Sequence, residues 1–226
     1  MAEAKLAKRI ERVVGSALAM ANRFQRYTPE TEYRTVPLEV KEDETLKRLK
    51  EAWKACSHTG NPEKDYPKML KIVKKLEYSA KDVENFNIAL AGFQSEKMCS
   101  SKAGLFLSAL INNCKDSDFV IHTNHLVESI SYLGFKNTKN ITVKGNTGDV
   151  VGINMKGGTI TVKGNAGKEG GWGMKGGTIT VEGDAGELVG FGMEGGSIRL
   201  EGKYVHIAEN IKHGSIFHKG KLIVDK

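Results

Sequence analysis

Hydrophobic positions follow two different periods along this chain. Up to about residue 118 they recur every three or four residues, which is the spacing of one face of an amphipathic helix. From Ile141 onwards they alternate with polar positions in short β-branched segments that end at glycine, as in strands joined by tight turns. The pattern therefore predicts an α+β fold, with helices first and strands after them.

The first predicted region, residues 1–118, is helical. Residues 3–26 carry a narrow apolar stripe, typical of a helix that docks on a core or on a partner helix, made of Leu6, Ile10, Val13, Ala17, Met20 and Phe24. Residues 28–42 contain Pro29 and Pro37 and are predicted to be a linker. Further helices are predicted behind an N-cap at Thr45, from Pro67, behind a Ser79-x-x-Asp82 start signal, and over Ala103–Cys114.

The second predicted region, residues 119–226, begins with a predicted strand over Phe119–Thr123 and then repeats itself. From Ile141 the period is 19 residues: ITVKGNTGDVVGINMKGGT, ITVKGNAGKEGGWGMKGGT and ITVEGDAGELVGFGMEGGS, followed by a shorter fourth unit over 198–215 and the start of a fifth at Ile216. Self-similarity at a short period is the signature of a solenoid. A 19-residue unit is too short for a crossover helix between parallel strands, so the repeat predicts a parallel β-helix.

Stacking of the units predicts columns of identical side chains. The isoleucines that open each unit point inward, and so do Met155, Met174 and Met193, with Ile211 in that place in the shorter unit. The recurring glycines mark corners, because glycine reaches unusual backbone angles without a steric penalty. These structural glycines are Gly145, Gly148, Gly152, Gly157, Gly158, Gly164, Gly167, Gly171, Gly176, Gly177, Gly183, Gly186, Gly190, Gly195, Gly196 and Gly202.

One further column, Ile153, Trp172 and Phe191, has two interpretations. Strict alternation from the methionines points these side chains inward, so packing in the core is the default. The alternative is that the corner turns outward, and the three side chains then form an apolar stripe for a protein partner.

The ends of the β-helix need caps, because a terminal strand exposes unpaired backbone groups. The helical region, through residues 119–140, is expected to close the first end. Tyr204–Ile207 and the segment Leu222–Val224 are expected to close the other.

The repeat resembles a known family. Its pattern, Gly-x-x-Gly-x-x-x-Gly-x-x-Met-x-Gly-Gly-x-Ile-x-Val-x-Gly, is similar to that of the GXGXG domain. That domain occurs as one of the subunits of archaeal formylmethanofuran dehydrogenase and as the C-terminal domain of the glutamate synthase large subunit. The resemblance runs from Gly145 to Gly202; the first 140 residues lie outside it, and only three clean units are present where those relatives have a longer run.

The resemblance implies a right-handed parallel β-helix that serves as a structural partner of catalytic subunits, whose cofactors and metals sit elsewhere. It therefore implies no catalytic, cofactor-binding or metal-binding residues in this chain. Gly171-x-Gly173-x-x-Gly176 matches a dinucleotide-binding pattern, but a strand and not a helix follows it. The remaining candidates lack a full ligand set for zinc: Cys56 with His58, His122 with His125, and His206, His213 and His218.

The composition predicts neither a nucleic-acid partner nor a membrane. The net charge of +7 is spread without a basic block or basic–aromatic interleaving, so no nucleic-acid surface is predicted. No run of eighteen apolar residues is present, so no membrane span is predicted. Three cysteines without a pattern fit reduced thiols, and a cytoplasmic location is expected.

These observations leave three hypotheses for function. The first is a non-catalytic assembly subunit of an oxidoreductase-type complex, bound to a protein partner. The second is a stand-alone enzyme or ligand-binding protein with a site between the helical region and the first coil, lined by His122, Asn124 and His125. The third is a homo-oligomer joined through the residues 3–26 helix.

Overall fold

The structure, a computed structural model, describes residues 42–94 and 99–226. The predicted helix over residues 3–26 and residues 28–41 of the predicted linker lie outside this range. Within it, a group of helices precedes a parallel β-solenoid of about five turns, so the predicted α+β fold is confirmed.

Helix α1 spans Glu44–Ala55. It begins two positions earlier than an N-cap at Thr45 predicts, because Asp43 and not Thr45 is the N-cap. An oxygen of the Asp43 carboxylate accepts a hydrogen bond of 2.7 Å from the backbone N–H of Leu46. A carboxylate at this position also interacts favourably with the positive end of the helix dipole.

Helix α2 spans Pro62–Val73, and the predicted start at Pro67 is wrong. The helix is capped by Asn61, whose side-chain oxygen accepts a 3.2 Å hydrogen bond from the N–H of Lys64. Pro62 occupies the first turn, where a missing N–H costs nothing. Pro67 lies inside the helix on its exposed side, and the stronger start signal is therefore the earlier Asn-Pro pair.

Helix α3 spans Ala80–Ala89 and continues as a short 3₁₀ helix over Leu90–Phe93. Ser79 and Asp82 form the predicted capping box, which is confirmed. Helix α4 spans Cys99–Asn113 and begins before the predicted Ala103. It is the most deeply buried helix of the described part, because the other helices pack on one side of it and the solenoid on the other.

Six strands form the parallel face of the solenoid, and a seventh runs antiparallel at its end. They are β1 Asp118–His122, β2 Asn140–Lys144, β3 Thr159–Val162, β4 Thr178–Val181, β5 Glu194–Leu200, β6 His213–His218 and β7 Lys221–Asp225. The predicted register is confirmed, because Ile141 pairs with Ile160, Ile160 with Ile179, Ile179 with Ile198 and Ile198 with Ile216. The methionine column is also inside, with each methionine fully buried.

The solenoid begins one turn before the recognisable repeat. Strand β1 pairs in parallel with β2, and Phe119 lies beside Ile141. The corner that follows is Leu133-Gly134-Phe135, since the N–H of Gly152 bonds to the carbonyl of Leu133 just as the N–H of Gly171 bonds to that of Val151. The apolar-Gly-apolar triplet is the signal that identifies this coil within the otherwise unassigned residues 124–140.

The two ends of the sheet differ in what covers them. At the first end, α3 packs against β1, and Asn87 of α3 accepts a 2.7 Å hydrogen bond at its side-chain oxygen from the N–H of His122. At the other end, a tight turn at Lys219 and Gly220 returns β7, which contains Leu222–Val224, against β6. The segment thus covers the edge of β6, and β7 becomes the last strand of the sheet. Helices and solenoid share one continuous hydrophobic core.

Candidate functional site

A corner column of the solenoid carries its most exposed aromatic side chains. We name it the aromatic corner: Phe135, Ile153, Trp172 and Phe191, each directly after a glycine with positive φ. Those glycines, at Gly134, Gly152, Gly171 and Gly190, sit so close to the next coils that an added Cβ would meet an isoleucine side chain. At Gly152 the distance to Ile179 Cδ1 would be 2.4 Å.

The default expectation of inward packing is wrong for Trp172, which is 38% exposed. Residues on both sides of it, Gly171 and Gly173, have φ of 76° and 59°. Alternation between the two faces holds only for extended backbone, so counting in steps of two from Met174 does not apply across this turn. The left-handed residues direct the indole away from the core.

The four members of the aromatic corner differ in what covers them. Phe135 is fully buried beneath Tyr66 of α2, with ring centroids 4.8 Å apart, and Ile153 is 5% exposed. Trp172 lies one coil further on and packs edge-to-face against the half-buried Phe191, with centroids 5.4 Å apart. Helix α2 therefore covers the first coil of the column, and the later coils continue it into solvent.

A groove of about 340 Å³ lies between the part of the aromatic corner that α2 covers and the part that it leaves uncovered. Glu63 of α2 bridges its floor: its carboxylate accepts hydrogen bonds from Lys136 Nζ at 2.6 Å and from Asn154 Nδ2 at 3.1 Å. These bonds tie the start of α2 to two successive coils. The walls of the groove are Gly60, Asn61, Pro62, Tyr132, Ile153 and Trp172.

A buried carboxylate holds the loop that forms one wall of the groove. Asp65 accepts hydrogen bonds from Thr59 N at 2.7 Å and Thr59 Oγ1 at 2.9 Å, and His58 Nδ1 lies 3.0 Å from it. Burial raises the pKa of Asp65, but the Thr59 hydrogen bonds and His58 outweigh it, so the pKa is lowered overall. The carboxylate thus stays charged and anchors residues 58–60.

Cys56, the sequence neighbour of His58, is not poised as a nucleophile. Burial raises the pKa of its thiol to about 11. A thiolate is the reactive form of cysteine, and this pKa keeps Cys56 protonated at neutral pH. In the described part of the chain, the side chains of Cys56, Cys99 and Cys114 are all buried.

The structure brings His122 and His125 to the seam between α3 and β1. His122 Nε2 lies 2.8 Å from Glu84 Oε1, and Lys81 Nζ donates a hydrogen bond of 2.8 Å to the same carboxylate. Burial raises the pKa of Glu84, but the hydrogen bonds from Lys81 and His122 outweigh it and lower the pKa overall. This arrangement is a charge-assisted link between helix and sheet.

The rest of this seam is tightly packed. Burial lowers the pKa of His125, which favours its neutral form. A Cβ at Gly145 would lie 2.3 Å from Asn124 Oδ1 and 2.4 Å from Thr123 Oγ1, so the backbone presses against both side chains. Asn87 Nδ2, Thr123 Oγ1 and both ring nitrogens of His125 are buried without a hydrogen bond of normal geometry. The seam is therefore a packed helix–sheet contact that contains four unsatisfied polar atoms.

The three late histidines have separate surroundings. His218 Nε2 lies 2.9 Å from the carbonyl oxygen of Gly202, and its ring meets Tyr204 edge-on at 5.0 Å. His206 and His213 are exposed. Across residues 42–94 and 99–226, no group of three or more His, Cys, Asp or Glu side chains is arranged to hold a metal ion.

Charged side chains pair from coil to coil along the outside of the solenoid. Lys163 pairs with Glu182, Lys168 with Glu187, and Glu194 with both Lys175 and Lys212. The side chains are roughly half exposed, so solvent screens these pairs and each one contributes little to stability.

These features define a class of protein: a helix-capped parallel β-solenoid with an aromatic pair projecting from one corner. Comparisons with protein-family models, curated proteins and solved structures found no match. Of the helices in the described ranges, none is both long and apolar enough to cross a membrane.

Proposed function

We propose that this protein is a non-catalytic assembly subunit that binds a larger catalytic protein through its aromatic corner. The observation that carries the proposal is the exposed Trp172, packed on the half-buried Phe191. The pair continues a column whose first member is already covered by a helix of the same chain. Aromatic side chains held rigidly at the surface are the residues that most often dominate binding energy in protein interfaces.

The way α2 covers Phe135 indicates what a partner must supply. Helix α2 places the apolar ring of Tyr66 against Phe135. It also places the carboxylate of Glu63 against the polar residues beside Phe135. We expect a partner segment with a central apolar side chain and polar groups around it to cover Trp172 and Phe191 in the same way. The 340 Å³ groove gives such a side chain a place to insert.

The resemblance of the repeat to the GXGXG domain supports a more specific role. In the relatives named above, that domain is a structural partner of the oxidoreductase chains that carry the chemistry. We therefore infer an accessory subunit of an oxidoreductase-type assembly, and we expect it to act in the cytoplasm, where its buried cysteines stay reduced. The ligand-binding alternative would use the seam at His122 and His125, whose geometry supports packing rather than access by a substrate.

The proposal is tested by purifying the partner together with the native protein and then measuring the affinity of variants for that partner. The native protein, tagged and purified from its source cells, is expected to retain a larger catalytic chain in constant stoichiometry. Trp172→Ala combined with Phe191→Ala is expected to weaken binding of the purified pair by at least about 30-fold, which corresponds to the loss of a hot spot.

Val205→Ala is the matched control, because it removes an exposed apolar side chain outside the aromatic corner. It should leave the affinity of the purified pair unchanged. Equal affinity in the double variant, or recovery of the native protein without any catalytic chain, would show the proposal to be wrong.

A further inference from the structure

Helix α2 presents a line of lysines to solvent. The opposite side of the helix is buried and carries Tyr66, Met69 and Val73. The lysines follow one another at steps of four, three and four residues, which places them on one face at 3.6 residues per turn. We name this surface the lysine face; it consists of the exposed residues Lys64, Lys68, Lys71 and Lys75, the last in the turn that follows the helix.

The charges of the lysine face are not compensated within the fold. In the described part of the chain, none of these four lysines takes part in an ion pair, whereas on α1 Arg48 pairs with Glu44. Like charges three or four positions apart on a helix repel each other and destabilise it. Lys64 also lies in the first turn, at the positive end of the helix dipole. The arrangement therefore disfavours the isolated helix and favours a ligand of opposite charge.

The lysine face begins at the groove beside the aromatic corner. Pro62 and Glu63 line that groove, and Lys64 follows them in the first turn of α2. At a helical rise of about 1.5 Å per residue, the face extends about 16 Å from Lys64 to Lys75. A polypeptide segment that leaves the groove can therefore span the whole face with about five extended residues.

We propose that the lysine face binds an acidic segment of the catalytic partner, adjacent to the segment that covers Trp172 and Phe191. This inference rests on the proposed function and specifies the chemistry of the partner. Aspartate and glutamate side chains supply the charge that the fold does not provide to these lysines. Complementary charge at the rim of an interface mainly accelerates association and fixes the orientation of the two proteins.

The surroundings of the lysine face favour a carboxylate-bearing segment over other polyanions. Surfaces that bind nucleic acid combine basic side chains with aromatic ones on which bases stack, and the lysine face contains no aromatic residue. A helix that lies on a membrane inserts an apolar side into the lipid. The apolar side of α2 is instead buried in the core of this protein through Tyr66, Met69 and Val73.

A hexaglutamate peptide is a suitable probe, because its extended length of about 20 Å matches the lysine face. We expect its addition to the full-length chain at about 20 mM salt to shift the backbone amide resonances of α2 more than those of the solenoid. The affinity should fall at about 300 mM salt, where the charges are screened. The combined variant Lys68→Gln, Lys71→Gln and Lys75→Gln should bind the peptide at least about tenfold more weakly.

The matched control removes the same amount of charge from the solenoid. It combines Lys144→Gln, Lys203→Gln and Lys221→Gln, which are exposed and form no ion pair with a described residue. We expect its affinity for hexaglutamate to stay within about twofold of the native value. Equal weakening in the two triple variants would mean that the peptide senses only net charge, and the proposal would be wrong. Tighter binding of oligothymidylate or of phosphatidylserine vesicles at α2 would also overturn it.

Unfolding midpoints of the variants distinguish binding from a structural role. The α2 triple variant should be at least as stable as the native chain, because neutral side chains remove the repulsion along the helix. A clear loss of stability would show that the lysines hold the fold together, contrary to the proposal.

Kinetics with the purified catalytic chain separate this inference from the proposed function. The α2 triple variant is expected to associate at least about fivefold more slowly and with less dependence on salt. Trp172→Ala combined with Phe191→Ala is expected to accelerate dissociation instead. An unchanged association rate in the α2 variant would contradict the inference alone. If no catalytic chain is recovered, the proposed function fails, and the hexaglutamate titration still decides whether the lysine face binds carboxylates.

Discussion

At the scale of the residue, glycines that occupy equivalent places in the sequence pattern have unequal roles. In the doublet Gly157-Gly158, an added Cβ at Gly157 would meet nothing within 4 Å. At Gly158, where φ is +71°, the same atom would lie 2.2 Å from the carbonyl oxygen of Lys139 in the preceding coil. Only the second glycine of this doublet is required by the close approach of two coils.

The doublet provides a matched pair of substitutions. Gly158→Ala is expected to destabilise the protein by at least about 3 kcal/mol, because a left-handed conformation costs an alanine roughly 1–2 kcal/mol and the clash with backbone adds to it. Gly157→Ala should change stability by less than about 1 kcal/mol. Urea denaturation of the two variants and the native protein measures both values, and equal effects would show that coil contact is not the reason for the second glycine.

The half-buried His125 makes stability depend on pH. Burial lowers its pKa in the folded state below the 6.5 of the unfolded chain, so the unfolded state binds more protons in this range. The contribution of neutral His125 is therefore fully present above pH 6.5 and is lost as the pH falls from 6.5 through its folded pKa.

We expect the native protein to be less stable at pH 5.5 than at pH 7.5, by no more than about 1.4 kcal/mol per pH unit. His125→Gln should flatten this dependence. The lowered carboxylate pKa values of Asp65 and Glu84 act below about pH 4.5, outside this window. The denaturant midpoints of the native protein and the variant at the two pH values measure this dependence. If stability depends on pH equally in both, His125 is excluded as the cause.

At the scale of the element, the first strand of the solenoid depends on a helix for its edge. The oxygen of the fully buried Asn87 side chain accepts from the N–H of His122, which would otherwise lie unpaired beneath α3. A buried amide without an acceptor costs about 1–3 kcal/mol. Helix α3 is thus a cap whose value comes from hydrogen bonding as well as from apolar contact.

Asn87→Ala is expected to destabilise the protein by about 1–3 kcal/mol and to speed hydrogen exchange of the β1 amides. Asn210→Ala removes an equivalent bond at an exposed corner, where its side-chain oxygen accepts from Gly192 N at 3.0 Å, and should cost less than about 1 kcal/mol. Hydrogen exchange of both variants checks this, and β1 protection that stays at the native level in Asn87→Ala would count against the cap.

At the scale of the whole molecule, helices and solenoid form one core. Trp53 of α1 is fully buried against Phe86 and Phe106, and this cluster is continuous with the isoleucine columns of the coils. A solenoid usually unfolds by stepwise loss of neighbouring repeats, but a core shared with the helices favours loss of both together.

The two tryptophans make this testable. In Trp172→Phe, fluorescence reports only on Trp53 and therefore on the helices, while pulsed hydrogen exchange of the β3 and β4 amides across the same urea series reports on the solenoid. We expect the two urea midpoints to coincide within measurement error, as in a two-state transition. A solenoid signal that persists after Trp53 is exposed would mean that the two parts unfold separately.

Prediction from sequence succeeded where a local pattern recurs. The register of Ile141, Ile160 and Ile179 follows from the 19-residue period alone, because a one-residue slip would turn each column to the opposite face. The prediction failed at Trp172, because two left-handed residues interrupt the alternation of side chains there. It also failed at Phe135, because that coil retains only the Leu-Gly-Phe triplet of the repeat. The contact between Tyr66 and Phe135 joins residues far apart in the chain, so no periodicity of the sequence predicts it.

The amino-acid sequence by itself determined that coils form, how long each one is and which side chains stack inside, since these depend on periods that recur within a few dozen residues. Only the tertiary structure decided which corner side chains remain exposed and which end of the sheet stays open. Both depend on where the helices pack, and the free energy of that packing is spread over contacts between residues that carry no common pattern.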